Sequence, residues 1–283
     1  MKNFDKERFV QLLKYDVVSN WRNHVSFAIG AFLAHFAAQF GMIYFSVKSM
    51  YNSLPERAGD ICRDAASISF FVSFIVFSVA LSLMFANLKT KPKRIAYLML
   101  PATNVEKFLS RFLLFTLGAG IVNFVAFVFA DLLRMLALSG MWVRVNSAVP
   151  EAFCCIQAAF TEFLQSWSRF SYTGISEGLY ALFAFSLLLL QFVLFVLGSV
   201  LFRNRAFLKT AACLLGLGIF MSVLVSSVTC MNFKTTMFLT FVFDYWLLVI
   251  TQLFFVLEVV LLWFSYRLFK RMQVVSRKFF LKA

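Results

Sequence analysis

GLYALFAFSLLLLQFVLFVLGSVLF, residues 178–202, runs for 25 residues without a charged side chain. At 1.5 Å rise per residue, a helix of that length reaches about 37 Å. The hydrocarbon core of a bilayer is about 30 Å thick and takes about 20 apolar residues to cross. Five further long apolar blocks, three of them carrying one or two charged residues, lie at 25–47, 65–86, 112–133, 207–229 and 239–264. Inside lipid every backbone polar group must be satisfied internally, which leaves helices or closed barrels. The period-2 alternation of barrel strands is missing, so the expectation is an all-α integral membrane protein with six transmembrane helices. The 202–207 junction is so short that the fourth and fifth spans should form a tight helical hairpin.

Composition agrees. Hydrophobic residues make up 61% of the 283 residues and charged ones 14%, with a mean hydropathy of +0.83. Soluble domains carry about 25% charged residues, so a soluble fold would lack polar surface. Residues 1–24 are charged throughout before any apolar run starts, unlike a cleaved signal peptide. The first span is expected to be an uncleaved anchor.

Orientation follows from Lys and Arg placed in alternate segments. The N-terminal arm has five, the stretch from Lys89 to Arg111 six, the 203–209 turn three and the C-terminal end six, a total of twenty. The opposite side has seven: Lys48, Arg57, Arg63, Arg134, Arg144, Arg169 and Lys234. Both termini are therefore expected in the cytoplasm. The net charge of +14 is explained the same way. No aromatic–basic motif interleaves the cations, so no nucleic-acid partner is expected.

Three organisational units result: an amphipathic elbow helix within 1–24, a six-helix domain over 25–269 and a basic tail over 270–283. In the elbow, Phe9, Leu13, Val17 and Trp21 form an apolar row, with Lys6, Arg8, Lys14 and Arg22 off it. Such a helix suits the membrane interface or packing on its own domain. In the long 134–177 loop, Pro150 should open a helix with Phe153, Ile156, Phe160, Phe163 and Trp167 in one stripe. That helix suits a lid over an exit, or plain packing in the outer leaflet.

Catalytic chemistry has little to work with. The only histidines are His24 and His35, and HExxH, GxSxG and the phosphate loop GxxxxGK[ST] are missing. No enzyme activity, cofactor or metal is expected. The cysteines Cys62, Cys154, Cys155, Cys213 and Cys230 form no CxxC pair. Cys62 with Cys154 or Cys155 on the oxidising side, or five packing residues, both fit.

Polar groups within spans are costly and therefore informative. The set is His35, Gln39, Asn123, Gln191, Gln252 and Glu258. They would line an intramembrane polar path, or simply join helices by hydrogen bonds. Gly30, Ala34 and Ala38 make a small-residue row beside His35 that permits close helix approach. Asp131 and Arg134, three apart, suit an ion pair.

The most distinctive cytoplasmic stretch is LMLPATNVEKFLSRFL, residues 98–113. Pro101 ends one element, and Thr103 with Glu106 reads as a T-x-x-E capping box for a helix running on through Lys107 and Arg111 into the third span. This stretch, with LGSVLFRNRAFLKT at 197–210 and SYRLFKRMQ at 265–273, resembles a small permease-like family of Bacteroidota. That family is similar to the transmembrane subunits of type-2 ATP-binding-cassette (ABC) exporters. The resemblance implies a permease subunit that dimerises, as a homo- or heterodimer, and works with a separate ABC ATPase. It also implies that 103–111 is the coupling helix, with Thr103, Asn104, Glu106, Lys107 and Arg111 toward the ATPase. A non-transporting membrane scaffold or assembly factor would use the same loop for docking. An ion-coupled transporter using His35 and Glu258 would need no ATPase, but no internal repeat supports it.

Overall fold

The computed structural model describes residues 4–49, 58–88, 91–139, 147–169, 176–202, 204–229 and 236–274. Among them there is no strand. The helices are α1 (Lys6–Ser19), α2 (Trp21–Ser49), α3 (Ala58–Leu83), α4 (Lys91–Met99), α5 (Asn104–Leu113), α6 (Ala119–Ser139), α7 (Ala148–Arg169), α8 (Ser176–Leu201), α9 (Ala206–Thr229) and α10 (Thr236–Val274). A 3-10 turn (Ala86–Leu88) precedes α4, and a π-helical segment (Leu114–Gly118) joins α5 to α6.

Five helical stretches among the described residues are long and apolar enough to cross a membrane: Trp21–Met42, Arg63–Leu83, Asn104–Ala137, Leu182–Leu201 and Val249–Arg271. The chain thus has the make-up of a multi-pass membrane protein. The expected span at 207–229 falls on α9 (Ala206–Thr229), an apolar helix whose side chains are fully described only over Ala206–Phe220. The five spans are those within the fully described residues. The stretch from Asn104 covers 34 residues, about 50 Å of helix, because α5 runs on into α6 through the π segment.

The chain divides into two compact units, Met1–Ala80 with Ala102–Thr161, and Leu81–Pro101 with Glu162–Ala283. In the first, α2 lies along α6 and α1 along α5. Its core is built from small side chains: Ala65, Ala66, Ala148 and Ala152 around Phe127, and Ala31 with Val76 and Ala126. Between membrane helices the lipid is as apolar as any core, so close packing of small residues is what favours association. The buried row of α2 is Ala31, His35 and Gln39. Of the expected row of Gly30, Ala34 and Ala38, Ala34 packs against this core, whereas a Cβ on Gly30 would meet nothing within 4 Å. Small residues permit close approach without requiring it at every turn.

In the second unit α8 packs along α10. Ser186, Val193 and Val200 of α8, and Thr251, Glu258 and Ser265 of α10, are buried at seven-residue intervals, the spacing of a shallow-angle helix seam. Phe183 stacks with Phe254 at 5.8 Å, and Phe85 meets Phe269 at 5.1 Å. The expected hairpin is present: α8 ends at Leu201 and α9 begins at Ala206. Arg205 takes a left-handed φ of 51° to make the turn. Gly198 faces Thr210 so closely that a Cβ there would collide with the threonine hydroxyl.

Candidate functional site

Helix α5 starts as its sequence requires. Thr103 is extended (φ −71°, ψ 159°) and its Oγ1 accepts the Glu106 N–H at 3.3 Å. Glu106 Oε2 in return accepts the Thr103 N–H at 2.7 Å, completing the capping box. The other carboxylate oxygen has a second task. Glu106 Oε1 accepts the Asp5 N–H at 3.0 Å and lies 3.7 Å from Arg8 Nη2. Asp5 caps α1 by accepting the Glu7 N–H at 3.0 Å, and pairs with Arg8 at 3.2 Å. One fully buried carboxylate therefore joins the N-termini of two helices, where helix dipoles favour negative charge.

A second junction lies further along α1. Asp16 Oδ2 accepts the Ser110 hydroxyl at 3.3 Å, and Oδ1 is 3.5 Å from Arg111 Nη2. The Asp16 and Arg111 side chains are 2% and 3% exposed. Leu12, one turn before Asp16, is buried on the same face. The apolar row of α1 is a different face: Phe9 and Leu13 are half-buried, while Val17 and Trp21 are exposed.

This arrangement changes how the expected partner-facing residues are read. Glu106, Lys107 and Arg111 are all buried, whereas Thr103 and Asn104 are half-buried. Val105, at 51% exposure, is the residue of this helix turned most fully outward. Glu106 points at α1 because the Asp5 backbone N–H and the Arg8 guanidinium meet it there, and Arg111 because Asp16 does. Sequence reasoning passed over Asp5 and Asp16. The available signal was Asp16 at i+4 from Leu12, an acid in line with an apolar position.

The intramembrane polar residues divide between the units. In the first, His35 Nε2 bonds Asn123 Oδ1 at 3.1 Å, with Ser73 Oγ at 3.5 Å, and the imidazole packs on Phe127. Gln39 Nε2 donates to Ser69 Oγ at 3.0 Å, and Ser69 donates on to the Ala65 carbonyl at 2.7 Å. His35 thus ties α2 to α6, and Gln39 ties α2 to α3. In the second unit Gln191 is half-buried, Gln252 is exposed and Glu258 is buried.

The expected Asp131–Arg134 pair forms at 2.6 Å, with both side chains fully buried. Asp131 also accepts the Ser147 hydroxyl at 2.6 Å and the Ala148 N–H at 3.1 Å, which caps α7. Pro150 sits in the first turn of that helix, as expected. Its inward face is Ala148 and Ala152, while Phe153, Ile156 and Phe160 are exposed; Phe163 and Trp167 have side chains outside the described set. Cys154, Cys155 and Cys213 are free thiols, and Cys62 and Cys230 lie outside the described side chains. Among the described residues, no group of three His, Cys, Asp or Glu side chains could hold a metal ion.

No family model, curated protein or solved structure matches the chain.

Proposed function

We propose that this chain is the transmembrane permease subunit of an ABC-type exporter, with six spans, both termini cytoplasmic and a place in a bacterial inner membrane. In this reading it dimerises, works with a separate ABC ATPase, and has α1 at the membrane interface. The observation that supports it best is the α1–α5 junction. A capped helix continuous with a membrane helix, and joined by buried charges to a second helix, can carry a push from a cytoplasmic partner into the membrane. Loose loops lose such a push in their own motion. The outward apolar row of α1 fits a headgroup-level position.

The partner would dock on the outward face, at Val105 with Asn104 and Thr103. Glu106, Lys107 and Arg111 would act from behind that face by holding it rigid. The test is affinity purification of the full chain from its native membrane, followed by assay of ATP hydrolysis. An ATPase subunit should co-purify, and Val105→Asp should release it while leaving the thermal stability of the chain unchanged. Absence of any ATPase, or retention of it by the Val105→Asp variant, overturns the proposal.

A second reading, a non-transporting scaffold, is favoured by one observation. His35, Gln39 and Asn123 are engaged in bonds between helices rather than arrayed along a path. In that case an ATPase or another partner would co-purify, yet cysteines placed at 191 and 252 would resist water-soluble thiol reagents in the assembled complex.

A further inference from the structure

We infer that the cleft between α3, α6 and α7 is a binding site for a small, uncharged, membrane-dissolved molecule that carries a carbonyl or ether oxygen. The cleft lies within the first compact unit and encloses about 110 Å³. A closed apolar cavity of about 150 Å³ takes up benzene; this cleft is smaller but half open, so one ring or a short branched chain fits with part of it left outside. Gly120 borders the open space: a Cβ there would meet nothing within 4 Å.

The walls are aromatic. Phe70, Phe124 and Phe153 line the cleft and are 41%, 48% and 54% exposed, so its mouth opens on whatever surrounds the helices. Phe124 and Phe153 meet edge-on at 6.0 Å, which sets one side of the opening. Around membrane helices the surroundings are lipid, so a ligand would enter by partitioning rather than from water.

The floor selects the chemistry. Asn123 lines the cleft and is 8% exposed. Its carbonyl oxygen is taken by His35, and its amide nitrogen makes no hydrogen bond among the described residues. An amide donor in an apolar setting without an acceptor costs free energy, and a ligand oxygen would relieve that. Ser73, beside it on the floor, is held only by the long 3.5 Å contact with His35. No charged side chain lines the cleft. A carboxylate or phosphate would therefore lose its hydration with no cation to replace it, which leaves neutral acceptors such as ketones, esters and ethers. The inference stands whether or not the chain serves an exporter.

The experiment uses acetophenone, a small aryl ketone that inserts into neighbouring C–H bonds on irradiation, with the full chain in lipid nanodiscs and labelled peptides mapped by mass spectrometry. Labelling is expected on the α6 and α7 peptides that contain Phe124 and Phe153, and Gly120→Leu should remove most of it by filling the space. Protection needs no variant. Methyl benzoate should compete about fivefold better than ethylbenzene, the factor one neutral hydrogen bond supplies. Equal protection by the two competitors means a slot for hydrocarbon alone and overturns the inference. So does labelling spread over all spans and indifferent to Gly120→Leu.

Discussion

Replacing Asp16 by Leu should cost this protein more than replacing Asp16 and Arg111 together. The single change leaves a guanidinium at 3% exposure without the carboxylate that faces it. Breaking a buried ion pair from one side costs about 3–5 kcal/mol. The N–O separation of 3.5 Å is longer than the 2.7–2.9 Å of strong charge-assisted bonds, so the lower end applies, about 3 kcal/mol. For a chain of this size that is about 6 °C or more in Tm, at about 2 °C per kcal/mol. Arg111→Met leaves Asp16 with the Ser110 hydroxyl and should cost less, about 2 kcal/mol. In the Asp16→Leu, Arg111→Met double variant both charges are gone and similar volumes refill the site. Its loss should shrink to about 1 kcal/mol, a coupling of about 3 kcal/mol or more. Thermal melts followed by circular dichroism in one detergent, on all four proteins, read the cycle. Additive losses, or single variants within about 1 °C of the parent, would refute the claim that α1 and α5 are joined as one body.

The same melts reach two other sites. Asp131→Ala should cost about 4 kcal/mol, more than Asp16→Leu, since Arg134 at 2.6 Å and the cap on α7 are lost together; a smaller loss than Asp16→Leu would contradict this. Gly198→Ala should cost about 1–3 kcal/mol by overpacking against the Thr210 hydroxyl, and adding Thr210→Ala should recover at least half of the lost Tm.

Signals confined to neighbouring residues were legible in the sequence. The uncharged run at 178–202 became α8, the three-residue spacing of Thr103 and Glu106 became a capping box, and the short 202–207 junction became a hairpin. What the sequence hid is pairing over distance. Asp5 and Asp16 bond residues about a hundred positions away, and helical periodicity reports which residues share a face, not what covers it. Apolar stripes also mislead in a membrane chain. In water the stripe marks the packing face, but in lipid both faces can be apolar and the small residues pack. Helix α7 behaves this way: Ala148 and Ala152 are buried, and Phe153, Ile156 and Phe160 look out. The rows of α2 follow the same logic, with Ala31 buried and Gly30 open.

His35 and Glu258 looked alike in the sequence, as ionisable groups deep within spans, and the structure separates them. His35 is bonded to Asn123 and has a packing partner in Phe127. Glu258 is 6% exposed, and its Oε1 has no hydrogen-bond partner among the described residues. A buried acceptor left unmatched costs about 1–3 kcal/mol, and leucine at the same place would remove that cost while filling a similar volume along the α8–α10 seam. Glu258→Leu should therefore leave Tm unchanged or raise it by about 2–4 °C, whereas His35→Leu, which strands Asn123, should lower it. A fall of more than about 4 °C for Glu258→Leu would mean that the carboxyl is a structural tie after all. If stability holds and a function measured in the assembled complex is lost, the acid serves something other than holding helices together. Intramembrane acids that add no stability are the ones expected to face a moving cation or substrate.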